Sequence, residues 1–159
     1  QTREVCRAVI QLGHPSRSAD DVERRTALRM IRQDILTRPG APALWAVFEE
    51  TALWRLDWRP MMRAQIQHLI EMTELTNITL QVIPIHSAAH VAIGGPFTIL
   101  RFSEPDLPDI VYLEQLTSAL YLDKSQDVQH YLMVIDRLSV QAKTPAETTR
   151  LLSSTLKEL

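Results

Sequence analysis

The most restrictive feature of this chain is that two hydrophobic periods occupy separate stretches of it. Apolar residues recur at helical spacing near both ends, whereas the middle carries short β-branched runs. "NITLQVIPI" (77–85), "FTILRF" (97–102) and "DIVYLEQ" (109–115) read as strands. "ALWAVFEE" (43–50) precedes them as a further strand, and "SALYLD" (118–123) is a fifth strand or a hairpin return. The order two helices, strand, helix, three or four strands, two helices predicts an α+β fold: a single mixed β-sheet of four or five strands flanked by about five helices.

The helices are bounded by chemistry as well as by period. Val5, Ala8, Val9 and Leu12 mark a first helix that Gly13 and Pro15 end. "SADD" reads as a capping box, Ser18 at N-cap and Asp21 at N3, opening a second helix, 18–37, whose apolar face is Ala27, Leu28, Ile31 and Ile35. "RPGAP" (38–42) stops it. Pro60 suits the first turn of a third helix, 60–74, with Met62, Ile66, Leu69, Ile70 and Thr73 on one face. Ser125 is expected to cap a helix carrying Val128, Tyr131, Leu132, Ile135 and Leu138. Thr144, Pro145 and Glu147 form a strong start signal for the last helix.

Bulk properties narrow the function classes. At 159 residues, with 45% hydrophobic and 23% charged side chains, the chain is expected to be one globular domain, 1–159. A net charge of −2 gives no global pull toward nucleic acid or anionic membrane. No apolar run reaches the roughly 18 residues that span a bilayer, and no signal peptide is expected. A single cysteine, Cys6, cannot form an internal disulfide, so a cytoplasmic location is expected. No start signal precedes Gln1, and the chain is expected to continue upstream in a longer protein.

Few motifs carry chemistry. Gly94 and Gly95 precede a strand, with no Walker lysine and no G-x-G-x-x-G context, so they are not a nucleotide fingerprint. His86 and His90 stand four apart but lack the H-E-x-x-H pattern, and no metal site is expected. No G-x-S-x-G or other nucleophile set is present. Cys6 reads as a small buried hydrophobe. Glu49, Glu50, Glu104 and Glu114 offer carboxylates, but spacing singles out no pair. No catalytic residue is assigned and no cofactor is expected. Arg25, Arg29 and Arg32 recur at i, i+4, i+7, which is either a solvated face or a docking strip for phosphate or an acidic partner. Trp54 and Trp58 sit in the polar segment "WRLDWRP", where burial is hard and a pocket rim is one reading.

The blocks "ERRTALRMIRQDILTRPGAPALWAVFEETAL", "MRAQIQHLIEMTELTNITLQVIPI", "AHVAIGGPFTILRF" and "DIVYLEQLTSALYLDK" resemble, in order, successive blocks of one bacterial family. These are XRE-type helix-turn-helix transcription regulators whose C-terminal domain is a domain of unknown function, some described as antitoxin-like. The resemblance implies a ligand- or partner-sensing and dimerisation domain. It also implies an upstream DNA-binding domain that is absent from this chain. The expected partners are a small-molecule effector or small partner protein and a second copy in a homodimer, with DNA reached only through the missing part and no membrane contact. "WRLDWRP" departs from the glycine-containing segment usual in the family. That departure, with the missing DNA-binding part, raises the alternative of a domain repurposed as a small-molecule enzyme such as a natural-product cyclase.

"AHVAIGGPF" and "YLEQLTSALYL" fall in blocks that typify the family. The resemblance therefore implies a functional loop, with Gly94 and Gly95 bringing backbone near a ligand and His90 contributing a polar contact. An apolar pocket is expected between the sheet and the 86–97 loop. Trp45, Trp54, Trp58 and Phe97 supply walls, His90 and Glu114 anchors, and Tyr112 and Tyr121 hydroxyl donors. Tyr112 and Glu114 share one strand face by alternation. The other reading puts Tyr112 in the core, pairs Glu114 with an arginine such as Arg101, and makes the glycines a turn into the strand.

Overall fold

The structure is a computed structural model that describes residues 1–54, 59–85, 87, 95–115 and 117–159. Its elements are α1 (Arg3–Gly13), α2 (Ala19–Gln33), β1 (Leu44–Glu49), α3 (Arg59–Thr73), β2 (Ile78–Ile83), β3 (Thr98–Leu100), β4 (Ile110–Glu114), β5 (Ala119–Leu122), α4 (Ser125–Gln141) and α5 (Pro145–Glu158). Short 3₁₀ turns follow α2 at Asp34–Leu36 and β1 at Glu50–Leu53. The fold is α+β, as expected. It divides into two compact units, one formed by residues 1–85 with 143–159 and the other by 86–142.

The expected single mixed sheet is instead two sheets. In the first unit β1 and β2 pair in parallel, Leu44 opposite Ile78 through Glu49 opposite Ile83. The α3 crossover between them makes a βαβ unit, the ordinary way to join parallel strands. Among the described residues no third strand joins on the far side of β2, because the chain just before and within α5 occupies that edge. Lys143 N donates to Val82 O (2.9 Å), and Val82 N donates to Thr148 Oγ1 (3.1 Å). Gln81 Nε2 donates to Lys143 O at 3.0 Å. A covered edge cannot template further pairing.

The core of this unit is Leu53, Met62, Ile66 and Leu152, with Phe48, Leu69, Ile70, Leu156 and Leu159 packed against it. A smaller cluster joins α1 to α2 through Cys6, Ile10 and Val22, with Met30 at its margin. Of the apolar faces read for these two helices, Val5 is buried as expected, but five other residues are not. Val9, Leu12, Leu28, Ile31 and Ile35 are exposed, and α2 turns Val22 and Thr26 inward. The Thr26 hydroxyl survives burial by donating to Val22 O at 2.8 Å. Gln65 on α3 accepts from Thr2 N (2.8 Å) and so ties the start of α1 down.

The capping box read at Ser18 and Asp21 forms only in its Ser18 half, the Asp21 carboxylate being taken by Arg17, Arg24 and Arg25, whereas the one read at Thr144 forms fully. Ser18 Oγ accepts from Asp21 N at 3.2 Å. Thr144 and Glu147 make a complete capping box with Pro145 in the first turn of α5. The cap assigned to Ser125 does not form: Lys124 is the N-cap residue of α4 and makes no side-chain cap bond.

In the second unit β3, β4 and β5 form an antiparallel sheet in that order. β5 is thus both a strand and the hairpin return of β4, closed by Gln115 N donating to Ser118 O at 2.9 Å. Val111 is fully buried in the middle strand, and α4 packs on β3 and β4 with Val128 and Leu138 buried.

Candidate functional site

Within the second unit, a cavity of about 390 Å³ opens along two turns of α4. Among the described residues it is lined by Gln126, Asp127, Gln129, His130, Tyr131 and Met133. Burial of Val128 and Leu138 fixes the rotation of α4, which in turn presents these residues. Tyr131 is held by packing. Its ring lies 4.9 Å from that of Phe97 at an interplanar angle of 59°, a tilted pair of the kind aromatic quadrupoles favour. The His130 ring stands edge-on to Tyr131, with centroids 6.1 Å apart.

The lining combines an aromatic ring and a thioether with a carboxylate, an imidazole and two amides. Asp127 accepts, while Gln126 and Gln129 both donate and accept. Met133 is flexible enough to follow the shape of a ligand. Gln126, Gln129, His130 and Met133 are exposed, so this is a shallow, open depression on the surface of α4, more polar than most small-molecule sites. Among the described residues, no group of three or more His, Cys, Asp and Glu could hold a metal ion. No described helix is long and apolar enough to cross a membrane.

The residues expected to form a pocket are distributed as follows. Phe97 backs the α4 cavity through Tyr131. Tyr112 lies opposite Tyr121 across β4 and β5, with ring centroids 5.1 Å apart, and Tyr121 is 67% exposed. Glu114 follows on the same face of β4, opposite Ala119. Arg101, the arginine named as a partner for Glu114, pairs instead with Asp109 at 2.9 Å. Gly95 has φ +99, a conformation that favours glycine, and a Cβ built there would meet no atom within 4 Å. Trp45 and Trp54 belong to the first unit. The Trp45 indole donates to Gln81 Oε1 at 2.8 Å, and Trp54 follows the 3₁₀ turn after β1, half exposed. Trp58, His86, His90 and Gly94 lie outside the described residues.

Other carboxylates and charges have local tasks. Glu50 accepts from Ile85 N (3.1 Å), and Glu49 from the Thr51 hydroxyl (2.9 Å). Asp21 takes Arg17, Arg24 and Arg25 at 2.5, 2.6 and 3.1 Å. The hydrogen bonds from Arg17, then Arg24 and Arg25, hold its carboxyl well below the usual range. Burial lowers the pKa of His68 on α3. Sequence reasoning passed over the α4 face because Tyr131 fitted the apolar stripe. The usable signal was "QDVQHY", in which Gln126, Gln129 and His130 recur at i, i+3, i+4.

One protein-family model, described as Domain of unknown function (DUF5753), matches residues 1–154. No curated protein and no solved structure matches the chain.

Proposed function

The chain belongs to that DUF5753 family, and on this premise we propose that it is the sensing and dimerisation domain of a helix-turn-helix transcription regulator of the XRE type. The observation that supports the reading is the open depression along α4, whose carboxylate, imidazole and amides beside Tyr131 and Met133 suit a small effector with polar groups. The ordered resemblance of the sequence blocks to such regulators supplies the context. On this reading the regulator works in the cytoplasm as a homodimer and reaches DNA through a separate N-terminal domain. The effector acts by preferring one of two conformations of the dimer, with couplings of about 1–3 kcal/mol typical of such systems.

The test uses the gene read from its native start. A small-molecule library is screened for compounds that raise the thermal midpoint of the full-length protein and alter its affinity for its operator. The active compound is expected to lose its effect in His130→Ala and Asp127→Asn variants that keep the wild-type fold. If operator binding is the same with and without residues 1–159, the sensing role is wrong. Turnover of the compound would instead favour the enzymatic alternative.

A further inference from the structure

Helix α2 buries one face and leaves an unusual one uncovered. Val22 and Thr26 point inward, while Leu28 (50%), Ile31 (65%) and Ile35 (40%) are exposed. Leu28 and Ile31 lie one turn apart on α2, and Ile35 continues the exposed apolar run in the 3₁₀ turn that follows it. A second helix fills such a seam with its own i, i+3 or i+4, i+7 anchors.

Charge identifies the kind of helix. Arg25, Arg29 and Arg32 follow one flank of the seam at i, i+4, i+7, and Arg24 lies nearby. One carboxylate, Asp21, serves Arg17, Arg24 and Arg25 together. Arg29 and Arg32 form no ion pair among the described residues and are exposed. Asp20 and Asp34 lie away from that flank, so the arginines are gathered on one side of the seam without a large net charge on the segment. An apolar seam with a basic flank is complementary to a helix that is apolar on one stripe and acidic beside it.

We propose that this face of α2 docks an acidic amphipathic helix of another protein. A second copy of the chain fits less well, because antiparallel self-pairing lays the arginine flank of one copy along the same flank of the other. Nucleic acid would use the arginines and leave Leu28, Ile31 and Ile35 uncovered. An anionic membrane would meet Asp20 and Asp34 at the edges of the stripe and a seam only three residues long. The proposal does not rest on the effector reading, since none of its residues lines the α4 cavity.

The probe is a fluorescein-labelled synthetic helix of about 18 residues, long enough to hold helicity. It carries leucines at i, i+3, i+7 flanked by glutamates. A second peptide has lysine at every glutamate position. Both are titrated into the full chain at two salt concentrations. Saturable, salt-weakened binding of the acidic peptide alone is expected, with a loss of about tenfold or more in Arg29→Glu/Arg32→Glu and in Ile31→Ser. Lys157→Glu, exposed on α5, controls for net charge and is expected to bind like wild type. Circular dichroism and thermal midpoints confirm that the variants fold. Equal binding of both peptides, or binding that the α2 variants leave unchanged, overturns the proposal. So does capture by phosphatidylglycerol vesicles without peptide binding, or a dimer in light scattering that the same variants dissolve.

Discussion

Thr148 shows how much one side chain decides in this protein. It is fully buried, and its Oγ1 accepts from the Val82 amide of β2 at 3.1 Å. Valine has nearly the same shape but no acceptor, so Thr148→Val leaves a buried amide without a partner. That omission costs about 1–3 kcal/mol. Urea unfolding is expected to show a midpoint lowered accordingly, while Thr148→Ser, which keeps the oxygen, loses less. Equal midpoints for the valine and serine variants would mean that packing, not the hydrogen bond, holds Thr148 in place. Nothing in the sequence around "PAETTR" marks this role, because the amide it serves lies 66 residues away. Gly95 is the opposite case: its φ of +99 is a local demand, and a Gly-Pro pair entering a strand announces a turn.

At the scale of elements, α5 begins with the most complete local signal in the chain. Thr144 Oγ1 accepts from Glu147 N (3.4 Å), and the Glu147 carboxylate accepts from Thr144 N (2.9 Å) and from its hydroxyl (2.7 Å). The Thr144 hydroxyl, then its amide, lowers the pKa of Glu147. A carboxyl depressed on folding stabilises above its unfolded value, near 4.3, and that contribution is lost as the pH falls through this value toward the folded one. Asp21 at the start of α2 acts in the same direction through its arginines. Stability below about pH 5 is therefore expected to fall less steeply in Glu147→Gln than in wild type, measured by urea unfolding across pH 3–7. A parallel pair of curves would remove Glu147 from the acid response. Caps were legible because both partners lie three residues apart. The inward faces of α1 and α2 were not, because Thr26 hides the buried stripe and Leu28 and Ile31 imitate one.

For the whole molecule, the first unit depends on two separate segments of the chain, since α5, which follows residues 86–142 in sequence, packs on α3 and β2. Leu152, fully buried against Leu53, Met62 and Ile66, is where that packing is anchored. Leu152→Ala is expected to cost about 2–5 kcal/mol and to lower the thermal midpoint, whereas Val140→Ala, at an 85% exposed position, is expected to leave it nearly unchanged. By itself the sequence determined the type and approximate limits of the helices and strands, the caps of α2 and α5, and the α+β class. Each of these rests on periods and hydrogen bonds among residues a few positions apart. The tertiary structure decided that the strands divide into two sheets, because residues 143–148 occupy the edge of β2 that a third strand would need. It also decided that the cavity lies along α4 and that α2 shows an apolar seam to solvent, because burial of one face depends on neighbours that local spacing does not encode.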